Sequence, residues 1–147
     1  MDIYVKAYVK IAAMKRQLQF DFPLFFRALA DRTRLRLLNL IGDREVCVCF
    51  FVEILGTHQP KISRHLAYLR DAGIVAARRE GKWMHYRIAE PANPIAKHML
   101  DEVLAWLNTD SHMQAERARF EAICCSPRPP LRLKQAPMPK LTQITRL

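Results

Sequence analysis

Four cysteines stand in two close pairs, Cys47-Val48-Cys49 and Cys124-Cys125. A thiolate is both a nucleophile and a soft metal ligand. Two thiolates one residue apart make the smallest chelate a chain can offer a soft ion. Backbone geometry sets a condition on it. Positions i and i+2 of a regular helix point about 200° apart, whereas on an extended segment they share a face. Phe50-Phe51-Val52-Glu53-Ile54-Leu55 reads as a short helix that begins near Val48 and is ended by Gly56. Chelation by Cys47 and Cys49 then requires the helix start to be unwound. A bound ion would pass that distortion to whatever follows. Adjacent cysteines form only a strained disulfide, so Cys124 and Cys125 read as free thiols. They are placed either to complete the first site, within the chain or from a second copy, or to form their own.

Thiol chemistry of this kind needs a reducing compartment. The N-terminal stretch from Ile3 to Met14 is apolar, but Asp2 precedes it and Lys6 and Lys10 interrupt it. That is a poor secretory leader and a reasonable amphipathic helix with both lysines on its wet side. No apolar run approaches the roughly 20 residues that cross a bilayer. The sequence therefore reads as cytoplasmic. The chain of 147 residues is half apolar and carries a net charge of +10. It is large enough for a core without metal staples and basic enough for a polyanionic partner.

The elements that would position these cysteines follow from punctuation. Phe20 to Ala30 reads as a short helix, set off by Pro23. Asp31 caps a broad-faced helix carrying Leu35, Leu37, Leu38, Leu40 and Ile41, which Gly42 stops. After the cysteine helix, Thr57 is placed to cap another, with Pro60 in its first turn and Gly73 at its end. Its buried face is Ile62, Leu66 and Leu69, with Lys61, Arg64 and Tyr68 turned outward. Ile74 to Arg79 and Lys82 to Ile88 are strand-like and flank Glu80-Gly81, a hairpin turn. Pro94 to Ile123 reads as one long helix with two apolar stripes. One is Ile95, Met99, Val103 and Trp106, and the other is Leu100, Leu104 and Leu107. One stripe can cover the chain's own core; the second calls for a partner copy. Ser126 to Leu147 holds five of the nine prolines, five Lys/Arg and no acid, the composition of a disordered basic tail.

Helix, turn, helix and hairpin in this order make a winged helix-turn-helix, mainly α with a β-hairpin wing. The expected organisation is a DNA-binding and dimerisation unit over residues 1–123, with its core at 24–107, followed by 124–147. The second helix of the pair would enter the major groove by its N-terminal half, which carries Gln59, Lys61, Ser63 and Arg64. His65 joins them at the edge of the apolar face, where it can also pack. Arg78, Arg79 and Lys82 cluster at the hairpin tip. Between Thr57 and Arg87 there are seven Lys/Arg against two acids, which concentrates charge where duplex DNA would lie.

Four motifs in order carry a family resemblance. Leu29-Ala30-Asp31-Arg32-Thr33-Arg34-Leu35-Arg36-Leu37-Leu38 resembles the opening signature of the ArsR/SmtB metal-responsive repressors. Glu45-Val46-Cys47-Val48-Cys49 resembles the cysteine box of the arsenic sensors among them. Gln59 to Arg70 resembles their recognition helix, and Gly81 to Arg87 their wing. The resemblance implies a homodimer, joined through N- and C-terminal helices, that represses its own operon. It implies release from an inverted-repeat operator when As(III) or Sb(III) binds. Two departures stand out: Val52 occupies the place of a frequent third cysteine, and Phe50 that of a frequent acid. The same thiolates suit Cd, Pb or Zn, and a redox or persulfide switch joining the two cysteine pairs is a further alternative. Asp110-Ser111-His112 lacks the following His-x-x-His of the family's zinc sites. No glycine-rich phosphate loop, paired catalytic carboxylates or nucleophilic triad is recognisable, so no enzyme is expected.

Overall fold

The structure, a computed structural model, describes residues 2–142, apart from the side chains of 16–18. Helix α1 (Ile3–Leu18) leads into α2 (Phe22–Leu29), which Asp21 caps by accepting from the Leu24 amide at 2.9 Å. Helix α3 (Arg32–Ile41) starts as expected at Asp31, whose carboxylate accepts from the Arg34 amide at 2.9 Å. Leu37, Leu38, Leu40 and Ile41 are fully buried, and α3 touches α2 and most later elements. It is the centre of the core.

Strand β1 (Arg44–Cys47) runs directly into α4 (Val48–Leu55), and α5 (Gln59–Asp71) follows. Ile62, Leu66 and Leu69 are fully buried, as their spacing requires. The cap of α5 differs from expectation. His58, not Thr57, takes the extended capping position, without a side-chain hydrogen bond. The Thr57 hydroxyl instead donates back to the Leu55 carbonyl, 3.4 Å away. Tyr68 is half-buried rather than free, because the Arg34 guanidinium lies 4.3 Å over its ring.

The wing is β2 (Val75–Glu80) against β3 (Trp83–Ile88). Its loop is Gly81-Lys82, one residue later than expected. Gly81 alone takes a positive φ, 57°, and a two-residue loop with glycine first suits the twist of the strands. The sheet order is β2-β3-β1-β4, with Val46 opposite Tyr86 and Cys47 opposite His85.

The single long helix expected from Pro94 to Ile123 is two helices, α6 (Pro94–Leu107) and α7 (Ser111–Cys124). Asp110 breaks the run by capping α7, accepting from the Met113 amide at 3.0 Å. Helix α7 then folds back on α3 and α4. Asn39 donates to the Met113 carbonyl at 2.8 Å, Arg36 pairs with Glu116 at 2.6 Å, and Phe120 meets Phe50 edge-on. The two stripes of α6 separate only in part. Leu100, Leu104 and Leu107 are buried and Ile95 and Trp106 are 55% and 50% exposed, but Met99 and Val103 of the second stripe are half-buried against the chain's own core.

The basic tail, expected to be disordered, is ordered over residues 126–142. Leu131–Leu133 forms a 3-10 helix with Leu133 buried, and β4 (Lys140–Leu141) pairs antiparallel with β1. Composition concealed this, because one buried leucine and two strand residues anchor an otherwise polar segment. Residues 143–147 of that expectation lie outside the described residues.

Candidate nucleic-acid interface and thiolate site

Helices α4 and α5 form the helix pair, and α5 presents its N-terminal half to solvent. Gln59, Lys61 and Arg64 are exposed and Ser63 is half-buried. His65 does not join this surface. Its Nδ1 lies 3.4 Å from the Arg34 guanidinium and 3.8 Å from the Asp31 carboxylate, facing α3. Burial holds its imidazole below the usual range, only partly offset by Asp31. A neutral ring accepting from Arg34 packs the reading helix against α3.

Sequence reasoning missed the group that organises this corner. Arg34 donates to the Ala28 and Arg27 carbonyls at 2.7 Å each, stacks on Tyr68 and meets His65. It ties the end of α2 to the middle of α5. The only sequence signal was its place in a capping segment beginning at Asp31.

At the wing tip the three cations part company. Lys82 is exposed, with its ammonium 4.9 Å over the Trp83 ring. Arg79 donates to the Gly81 carbonyl at 3.2 Å. Arg78 is turned back to Glu45 of β1, at 2.9 and 2.6 Å, and to Glu80 at 3.2 Å. That pairing holds the Glu45 carboxyl below its ordinary range.

Cys47 is the last residue of β1 and the N-cap of α4, with an extended backbone (φ −67°, ψ 142°). Cys49 lies in the first turn of α4. This resolves the expected conflict between chelation and helix geometry. One cysteine is extended and the other helical, and their sulfurs meet at 2.9 Å with no unwinding. The Cys49 thiol donates to Cys47. That hydrogen bond, with further help from the Cys49 and Val48 amides, outweighs burial and brings Cys47 down to about 7. Giving its proton to that bond, together with burial, pushes Cys49 up. The pair thus holds one fully buried thiol lowered to about 7 and one half-buried thiol beside it, a donor set suited to a soft thiophilic ion.

Cys124, half-buried at the end of α7, is pushed up by burial, and Cys125 is exposed. Among the described residues no three His, Cys, Asp or Glu side chains converge as a metal site. The later pair is therefore not brought to Cys47 and Cys49 within one chain.

A helix pair, a basic second helix and a hairpin wing on one core define a winged helix-turn-helix DNA-binding protein. Comparison with known proteins agrees. Residues 31–77 match the model of the bacterial regulatory protein, arsR family. The chain is 41% identical over 100 residues to the arsenical resistance operon repressor of Escherichia coli K12, covering 67% of this chain and 84% of that one. It is 42% identical over 99 residues to the arsenic resistance transcriptional regulator ArsR1 of Pseudomonas putida, covering 64% and 77%. Among solved structures, HlyU from Vibrio cholerae N16961 superposes with a TM-score of 0.50 at 30% identity, over 59% of this chain and 90% of that chain. The chain belongs to the arsR family of bacterial regulatory proteins and is a DNA-binding transcriptional repressor of winged helix-turn-helix fold. No helix among the described residues is long and apolar enough to cross a membrane.

Proposed function

We propose that this repressor holds operator DNA as a homodimer in the cytoplasm and releases it when As(III), or Sb(III), is chelated by Cys47 and Cys49. The observation that carries the reading is the 2.9 Å approach of the two sulfurs at the junction of β1 and α4. Trivalent arsenic and antimony are thiophilic, and a ready thiolate lowers the barrier to the first bond. The names of the arsenic-resistance relatives point the same way.

In this reading Gln59, Lys61, Ser63 and Arg64 meet the major groove, and Arg79 and Lys82 hold phosphates. The junction that carries the sulfurs leads through α4 directly into the reading helix. A bound ion must widen the sulfur–sulfur distance, because two sulfurs on one ion stand farther apart than 2.9 Å. That displacement tilts α4 and with it α5. The coupling required is about 1–3 kcal/mol.

The homodimer is supported by apolar surface left uncovered in the single chain. Ile3, Tyr4 and Tyr8 of α1 are at least three-quarters exposed, and Ile95 and Trp106 of α6 are half-exposed.

The test is arsenite-dependent release from the repressor's own promoter fragment, for wild type, Cys49→Ser and the double variant Cys124→Ser/Cys125→Ser. Release lost in Cys49→Ser and kept in the double variant supports chelation by the first pair. Release kept in Cys49→Ser overturns it. Cadmium, lead and zinc, or mild oxidant, in place of arsenite separate the metal and redox alternatives.

A further inference from the structure

The stretch from Ser126 to Thr142 touches the thiolate-bearing unit at two places. From the end of α7 the chain turns at Ser126 and runs over α4. There Leu133 of the 3-10 helix is buried in the core and Arg132 reaches Glu53 at 3.4 Å. It then returns to β1, where Leu141 pairs with Arg44 and Lys140 with Glu45. Thr142 closes the contact, donating to the Asp43 carbonyl from its amide at 2.9 Å and its hydroxyl at 2.8 Å. Strand β1 is thereby hydrogen-bonded on both edges, by β3 and by β4. Cys47 ends that strand, and Cys49 lies in the first turn of the helix that the 3-10 turn covers.

We infer that residues 127–142 are a strap that positions the β1–α4 junction and so sets how easily the two cysteines can be drawn apart. The inference rests on the sensing role proposed for that pair only for its consequence in inducer response. Ordering a chain costs about 1–2 kcal/mol per residue, and the strap has few contacts to offset this. Its five prolines supply the rest of the explanation: they restrict the free chain beforehand, so less entropy is lost on docking. Pro137 and Pro139 precede a strand that pairs on one side only, where proline is tolerated. Of the strap's cations, Arg132 pairs with Glu53 of α4, and Lys140 stands opposite Glu45 in the β1–β4 register.

The strap also starts at the second cysteine pair. Cys124 and Cys125 form the last turn and cap of α7, so the two thiol pairs stand at the root of the strap and beside its tip.

The test uses the full chain. Thr142→Pro removes the closing amide donor, and Leu133→Asp places a charge in the buried anchor. Met138→Ala, at an exposed strap position, is the control, and Leu133→Met the rescue. Amide hydrogen exchange is read at residues 44–49 and, for comparison, within α5. The expected result is exchange about tenfold or more faster at 44–49 in Thr142→Pro, with α5, the control and the rescue unchanged. Arsenite should then reach half-maximal modification of the Cys47–Cys49 pair at a lower concentration. Unchanged exchange at 44–49 in Thr142→Pro overturns the strap, as does an equal rise in α5. If Leu133→Asp fails to fold, Thr142→Pro decides alone. Arsenite that leaves the wild-type cysteines unmodified overturns the sensing role, and the exchange measurement still decides the strap.

Discussion

Arg78 of the wing and Glu45 of β1 are joined by two hydrogen bonds, at 2.6 and 2.9 Å, across the intervening strand β3. Glu45 lies two residues before Cys47, on the same strand. The pair therefore fixes the wing to the segment that carries the thiolate. It also withdraws one cation from the tip cluster that the sequence alone presents as uniform.

The first prediction separates the wing cations by their salt dependence. Each phosphate neutralised contributes about 0.9 to the slope of log affinity against log salt on B-DNA. Lys82→Ala should reduce that slope by about 1 and weaken binding on any sequence. Arg78→Ala should leave the slope nearly unchanged, because Arg78 is already paired with Glu45 and Glu80. Fluorescence anisotropy at several salt concentrations measures both. The Glu45 carboxyl is depressed in the folded chain, so its contribution is complete above the ordinary carboxylate range and is lost as pH falls through its folded value.

A second prediction concerns thiol reactivity. Cys47 titrates at about 7 because Cys49 donates to it. Cys47 is fully buried, so its alkylation by iodoacetamide should be slow, but its rate should rise between about pH 6 and 8, below the range of an ordinary thiol. Cys49→Ala removes the donor and should move the rise upward. Mass spectrometry of the Cys47 peptide follows it. An unmoved profile would show that the hydrogen bond does not govern the thiolate.

The architecture was largely legible because each helix pair carries its own periodic signal. Ile62, Leu66 and Leu69 of α5, and Leu100, Leu104 and Leu107 of α6, are where their spacing put them. Three features were not legible, two of them because they depend on partners distant in sequence. Strand β1 has only four residues and exists through pairing with β3 and β4. Its presence puts Cys47 in extended backbone and makes the chelate compact. The break at Asp110 was hidden because no glycine or proline marks it between Leu107 and Ser111. Arg34 carried no role in the sequence, and Arg78 read as a wing-tip cation, until Tyr68 and Glu45 were brought beside them.

Arg34 provides a third prediction. Its guanidinium satisfies two carbonyls at the end of α2 and covers Tyr68 of α5. Hydrogen bonds to a charged group contribute about 1.5–3 kcal/mol each when little exposed. Arg34→Ala should destabilise the chain by about 2–4 kcal/mol in urea unfolding, a range that allows for partial relaxation. Arg34→Lys should recover little, because a single ammonium cannot reach both carbonyls and stack at once.

The fourth prediction contrasts two glycines. Gly42 and Gly81 both have positive φ, 52° and 57°. A side chain at Gly81 meets open space, so Gly81→Ala should cost about 1–2 kcal/mol for the backbone alone. A Cβ at Gly42 would lie 2.5 Å from the Arg117 guanidinium, which donates to the Asn39 carbonyl at the end of α3. Gly42→Ala must therefore also displace that hydrogen bond, and should cost at least about 1 kcal/mol more than Gly81→Ala. Paired denaturation curves test the difference.

The last prediction addresses the uncovered faces of α1 and α6. Trp106 is 50% exposed and Ile95 55%, on the side of α6 away from the buried leucines. A glutamate at either position adds a charge to a face that the proposed homodimer would bury, and an unpaired buried charge costs several kcal/mol. The same charge on a face left in water costs almost nothing. Ile95→Glu/Trp106→Glu should therefore halve the mass read by light scattering at micromolar concentration. The unfolding midpoint of the separated chains should stay close to that of wild type diluted to the same state. Binding to a full inverted-repeat operator should fall far more than binding to a half-site, because a dimer gains its affinity from engaging both halves together. A wild-type chain that scatters as a monomer while retaining full operator affinity would contradict the dimer, and would leave the exposed residues of α1 without the partner assigned to them.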